Sequence, residues 1–100
     1  MYLAEDTISR LLTYQTLIPA IRQALIDYST GQVEQPLRQV LRVKDQLGNP
    51  SGWFAVMPVV AGEFMAVKTV TFFPGNKSLP THLATIELLA RATGDRKSVV

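Results

Sequence analysis

One hundred residues, 47% apolar and 18% charged, suffice for one domain with a modest core and argue against intrinsic disorder. The absence of cysteine excludes a disulfide framework and any thiolate metal site, and a single histidine, His82, argues against a zinc site built from this chain alone. A net charge of +2 without a basic stripe gives no reason to expect nucleic acid; no stretch reaches membrane-spanning length, and the start lacks a signal peptide's pattern, so a cytoplasmic protein is expected.

In chain order, Tyr2 to Ala4 reads as a short strand. Glu5 and Asp6 then place negative charge at the positive end of a helix running through Ile8, Leu11 and Leu12. A second helix follows, with Leu17, Ile18, Ile21, Leu25 and Tyr28 at helical spacing. Thr16 is its expected N-cap, Pro19 falls in its first turn, and Gly31 ends it. From Leu37 the period becomes alternating. Leu37, Gln39, Leu41 and Val43 share one strand face; Arg38, Val40 and Arg42 share the other. Lys44 to Gly52 predicts a hairpin loop and Trp53 to Val60 the return strand, with Pro58 marking an edge or a bulge. Ala61-Gly62-Glu63 turns the chain into a strand from Phe64 to Phe73, and Pro74 to Lys77 is a loop. His82 to Ala92 fits both periods: Leu83, Ile86, Leu89 and Ala90 make a helix face, while Ala84, Ile86 and Leu88 alternate. Local propensity favours the helix.

The chemistry gathers on cations. Lys68 stands in the most apolar, β-prone run of the chain and shares a face with Ala66, Val70 and Phe72. Two readings are open. It is an edge lysine whose stem packs on the sheet while its head reaches water, or a partly desolvated cation that binds a carboxylate or polarises an imine. Arg38, at the start of a strand, is by itself an ordinary exposed arginine; its planar fork also suits a bidentate clamp on a carboxylate. His82 and Thr81 follow a loop and read first as structural, as do Met57 and Trp53. No glycine-rich phosphate loop is present.

Five strings occur in order: Leu17-Ile18-Pro19-Ala20-Ile21, Gln35-Pro36-Leu37-Arg38, Val56-Met57-Pro58, Val67-Lys68-Thr69-Val70-Thr71-Phe72-Phe73-Pro74-Gly75-Asn76 and Leu79-Pro80-Thr81-His82-Leu83-Ala84-Thr85. In sequence and spacing they resemble the N-terminal part of the ornithine cyclodeaminase/mu-crystallin family. The resemblance implies an α+β fold, with two N-terminal helices packed on a mostly antiparallel sheet. It implies a substrate-binding and dimerisation domain over residues 1–100, incomplete and without the Rossmann domain that full-length members carry. It also resolves the ambiguous segment from His82 in favour of a strand. By position, Arg38 takes the role of substrate-carboxylate ligand. Lys68 takes that of a substrate contact that assists proton transfer, while Met57, Thr81 and His82 lie in strings bordering the pocket.

The functional expectation is therefore a truncated relative of NAD(P)-dependent enzymes acting on ornithine, cyclic ketimines or alanine. It binds a small amino or imino acid carboxylate, holds no cofactor or metal itself, is inactive alone, and forms a homo-oligomer or associates through its sheet. The alternative is a non-catalytic binding or dimerisation module. A third reading, a small enzyme using Lys68 as a Schiff-base nucleophile, rests on the lysine alone.

Overall fold

A computed structural model describes residues 1–100 as two helices followed by a six-stranded sheet. The elements are α1 (Glu5–Leu11), α2 (Tyr14–Ser29), β1 (Val33–Glu34), β2 (Gln39–Lys44), β3 (Pro50–Ala61), β4 (Phe64–Phe72), β5 (His82–Ala90) and β6 (Arg96–Val99). The α+β class expected from the sequence is the one observed.

Helix α2 starts earlier than the sequence suggests. Thr13, not Thr16, is the N-cap: Thr16 N–H donates to Thr13 Oγ1 at 3.3 Å, and Thr13 N–H donates to Thr16 Oγ1 at 3.4 Å. Two threonines three residues apart thus satisfy each other's backbone donors, as in a capping box, and the helix gains a turn at its start. Pro19 consequently lies inside the helix rather than in its first turn. Gly31 ends the helix with φ of +78°, as expected.

Every strand pair is antiparallel. Strand β3 is the organising element, longer than the predicted return strand because Pro50, Ser51 and Gly52 join it. Its hairpin with β2 is correspondingly tight. Asp45 Oδ1 accepts from the N–H groups of Leu47 and Asn49, both at 2.9 Å, and closes the turn. One edge of β3 pairs with β2 over Pro50 to Val56 and with β1 over Val60 and Ala61. Pro58 falls in the gap between them, where β3 has a neighbour on one side only, which is the edge position a proline requires. Gly62 makes the tight turn into β4 with φ of +58°, the positive value that a first central glycine supplies to a two-residue hairpin.

Beyond β4 come β5 and β6. The segment from His82 is a strand, paired with β4 from Phe72↔His82 to Phe64↔Ala90. At the far edge Tyr2 makes a single parallel bridge to Val99, which is what remains of the predicted N-terminal strand. The short β1 has no counterpart in the sequence reading.

The sheet has almost no core. Only Gly52 and Ala55 are buried, and large apolar side chains such as Ile18 (61% exposed) and Leu25 (63%) face solvent. The helices meet the sheet sparingly, α2 through β1. Apart from the N-terminal segment beside Lys68, Ala84 and Ile86, the sheet faces and the apolar stripe of α2 are left open.

Candidate functional site

Antiparallel register sorts the cations onto one face. Lys68 lies opposite Met57 on β3 and Ile86 on β5. The β2–β3 register ends at Gln39 opposite Val56, so Arg38, expected at the start of the strand, is the residue immediately before it. Met57, Lys68 and Ile86 form one row across the sheet. Continued one residue further, the β2–β3 register would set Arg38 across from Met57, two strand spacings or about 10 Å from Lys68.

Lys68 is exposed, and β4 is a central strand flanked by β3 and β5. Neither sequence picture describes it fully. It is not an edge lysine, and it is not desolvated within this chain. It reaches solvent because these residues cover its face only in part, through the N-terminal segment that lines the cavity beside it.

The next row along the face is small and apolar: Val40, Ala55, Val70 and Ala84. The row beyond is Arg42, Trp53, Phe72 and His82. Here the Arg42 guanidinium lies 5.1 Å from the centroid of the Trp53 ring, and Phe72 stacks on His82 with centroids 4.4 Å apart and planes at 23°. Thr81 Oγ1 lies 3.1 Å from His82 Nδ1 and, with the stack, fixes the imidazole. His82 is thus four residues along the sheet from the Lys68 row, about 13 Å away, and Thr81 lies one residue further, before β5 begins. Met57 and Lys68 are brought together, with Arg38 just before β2; His82 stands at the other end of the same face, with Thr81 just before it. Ile86, Ala84, Trp53 and Arg42 were not chosen from sequence as site residues. Their alternation in β2, β3 and β5 was the available signal, but only register shows which of them share the cation face.

A cavity of about 490 Å³ opens beside Lys68, between Ala84 and Ile86 on the sheet and Leu3, Glu5 and Ile8 of the N-terminal segment. A second concavity, about 730 Å³, runs along α2 past Tyr14, Ile18, Ile21 and Leu25. It lies away from Lys68 and Arg38 and has Arg22 as its one charged residue, so it has the character of a docking strip rather than a substrate site. No group of three or more His, Cys, Asp or Glu side chains is placed to hold a metal ion, and no helix is long and apolar enough to cross a membrane.

The model of the ornithine cyclodeaminase/mu-crystallin family matches residues 1–100. The chain belongs to this family. Among its relatives, the ketimine reductase mu-crystallin of Mus musculus is 32% identical over 104 aligned positions, covering 97% of this chain and 32% of the relative. The Δ1-pyrroline-2-carboxylate/Δ1-piperideine-2-carboxylate reductase of Azospirillum brasilense is 31% identical, covering 94% of this chain and 29% of the relative. Two solved structures share the fold. An archaeal alanine dehydrogenase dimer with bound NAD superposes with a TM-score of 0.88 at 25% identity. The Thermococcus litoralis Δ1-pyrroline-2-carboxylate reductase, in complex with NADH and L-proline, does so with 0.87 at 27%. Each covers 99% of this chain, which in turn covers 30% and 31% of theirs. The chain thus spans about a third of the length of the relatives it matches.

Proposed function

We propose that residues 1–100 are the substrate-binding and dimerisation domain of an NAD(P)-dependent oxidoreductase that reduces a small cyclic imino acid. Arg38 and Lys68 hold its carboxylate. The observation that supports this is Lys68 paired with Met57, with Arg38 immediately before the strand that pairs with β3 up to Val56, so that continuing the register would flank Met57 with both cations. A guanidinium and an ammonium flanking an apolar floor suit a small anion better than any other ligand class. The relatives named for pyrroline-2-carboxylate and ketimine reduction support the substrate class, and the NAD- and NADH-bound neighbours support the cofactor.

The cofactor does not fit these residues. A dinucleotide fold needs parallel βαβ units and a glycine-rich turn, whereas every strand pair here is antiparallel and no such turn occurs. Its place is therefore outside residues 1–100. Reduction of a C=N bond adds a hydride to carbon and a proton to nitrogen, and a nicotinamide cofactor supplies the hydride when bound. This chain's share is to fix the carboxylate and to present the proton-bearing Nζ of Lys68 to the substrate nitrogen. Without the cofactor's domain the chain has no turnover of its own.

Calorimetric titration of the intact protein with L-proline or pyrrole-2-carboxylate tests the site. A charge-assisted hydrogen bond contributes about 1.5–3 kcal/mol, so Arg38→Ala and Lys68→Ala should each weaken binding roughly ten- to hundredfold. Unchanged affinity in both variants overturns the assignment. In the intact protein, NAD(P)H oxidation should depend on added pyrroline-2-carboxylate and be lost in Lys68→Ala.

A further inference from the structure

Backbone hydrogen bonds carry the row of Lys68 without a break to the N-terminal segment. Lys68 pairs with Ile86 across β4 and β5. Ile86 N–H donates to the Val100 carbonyl at 2.8 Å, and Val100 N–H donates back to the Ile86 carbonyl at 2.7 Å. One residue earlier, Val99 N–H donates to the Met1 carbonyl at 2.8 Å, and the Val99 carbonyl accepts from Leu3 N–H at 2.7 Å. Met1 to Leu3 are thus tied to the edge of the sheet, and α1 begins at Glu5, just beyond the last of these bonds. Glu5, Ile8 and Ser9, at spacings of three and four, share one face of α1. All three border the cavity of about 490 Å³ whose sheet side includes Lys68, Ala84 and Ile86.

Lys68 and Glu5 are the charged side chains of that cavity, one on its sheet wall and one on its helix wall. No ion pair joins them, and the open space lies between. Glu5 also borders a second concavity with Asp6 and Arg10, but Arg10 Nε–H donates to the Asp6 carbonyl at 3.4 Å and forms no ion pair with Glu5. A volume of this size is ordinary for a small-molecule site, roughly 300–1,000 Å³. An ammonium on one wall, a carboxylate on the other and apolar surface from Ile8, Ala84 and Ile86 between them match a small zwitterion.

We infer that Glu5 is a substrate-binding residue, its carboxylate accepting a hydrogen bond from the protonated nitrogen of the bound imino or amino acid. This contact rests on the carboxylate site proposed above and adds a second anchor from the opposite wall. In reduction of a C=N bond the nitrogen gains a proton and the carbon gains a hydride from the nicotinamide cofactor. Glu5 exchanges no atom in that step; its negative charge stabilises the protonated nitrogen, the form in which the neighbouring carbon accepts hydride.

Calorimetry on the intact protein compares L-proline with tetrahydrofuran-2-carboxylate of the same hand, which keeps the ring and the carboxylate but has an ether oxygen in place of the nitrogen. Proline should bind roughly tenfold or more tightly than the ether. Glu5→Gln should remove most of that preference, weakening proline roughly ten- to hundredfold and leaving the ether within about twofold, as expected for one charge-assisted hydrogen bond. Glu5→Asp, which keeps the charge, should retain part of the preference. Asp6→Asn removes a carboxylate from the same helical turn and should change neither affinity, which separates the contact from a general effect of charge at the start of α1. Equal binding of the two ligands by the unaltered protein, a preference for proline that survives Glu5→Gln, or the same loss in Asp6→Asn overturns the assignment. Arg38→Ala should weaken both ligands alike. If it does so while Glu5→Gln changes neither, the carboxylate site stands and the Glu5 contact alone falls; if Arg38→Ala changes neither, the carboxylate reading falls whatever Glu5→Gln does; if neither ligand binds the unaltered protein, both fall.

Discussion

At the scale of single residues, this structure separates positions held by contact from positions held by charge. Gly52 is of the first kind. A Cβ there would lie 2.7 Å from the Phe73 ring and 2.8 Å from the Phe72 carbonyl oxygen. The ring can turn, but the carbonyl belongs to the β4 backbone and cannot move without shifting the ladder. Gly52→Ala should therefore destabilise the protein by about 1–3 kcal/mol, the usual range for overpacking, read as a lower denaturant midpoint with an unchanged slope. Arg38 and Lys68 are of the second kind. They are exposed and without ion-pair partners in this chain, so their replacement should change ligand affinity while leaving stability within about 0.5 kcal/mol. A large loss of stability in Lys68→Ala would show that the lysine serves packing instead.

At the scale of elements, α2 shows how little of its own stability comes from the sheet. Its apolar stripe is open, so the cap carries unusual weight. Thr13 Oγ1 accepts from the Thr16 N–H, and the Thr13 N–H donates to the Thr16 hydroxyl oxygen in return. Thr13→Ala should cost about 1 kcal/mol and reduce the helical signal in circular dichroism. Thr16→Ala, which removes the reciprocal half, should cost less. Strand β5 teaches a different lesson. Its residues are compatible with a helix, yet it is a strand because β4 offers nine residues of ladder and β6 the other edge. Backbone pairing that local propensity cannot see decides the matter.

At the scale of the whole molecule, surface is the main fact. The chain exposes 8208 Å². A compact monomer of its mass would expose roughly 5,700 Å², leaving an excess of roughly 2,500 Å². Its radius of gyration is 16.1 Å, where about 13 Å is usual for this length. An excess of that size falls within the range that obligate interfaces bury, about 2,000–5,000 Å². Residues 1–100 expressed alone should accordingly associate or melt over a broad range. A monodisperse monomer on sedimentation with a sharp, cooperative melt would contradict this. The α2 strip is one surface to probe: Ile18→Glu with Leu25→Glu should reduce self-association of residues 1–100.

Much of the fold could be read from the residues. Helical spacing from Leu17 to Tyr28, alternation from Gln39 to Val43, and the turns at Gly31 and Gly62-Glu63 stand where the pattern puts them, whereas Leu37 and Arg38, expected in the strand, precede it. Boundaries moved where a side chain bonds the backbone, as Thr13 does at α2 and Asp45 does at the β2–β3 turn, because such bonds leave only a weak trace in composition. The family, and the candidacy of Arg38 and Lys68, came from ordered strings of residues, since residue identity and spacing are properties of the chain itself. What only the tertiary structure decided is which distant residues meet. Residues 57, 68 and 86 are scattered along the sequence, and antiparallel register alone sets them in one row, with Arg38 just before the start of the neighbouring strand. A side chain's face depends on its strand's alternation, but its neighbours depend on how strands slide against one another, and that is settled by pairing across the whole sheet.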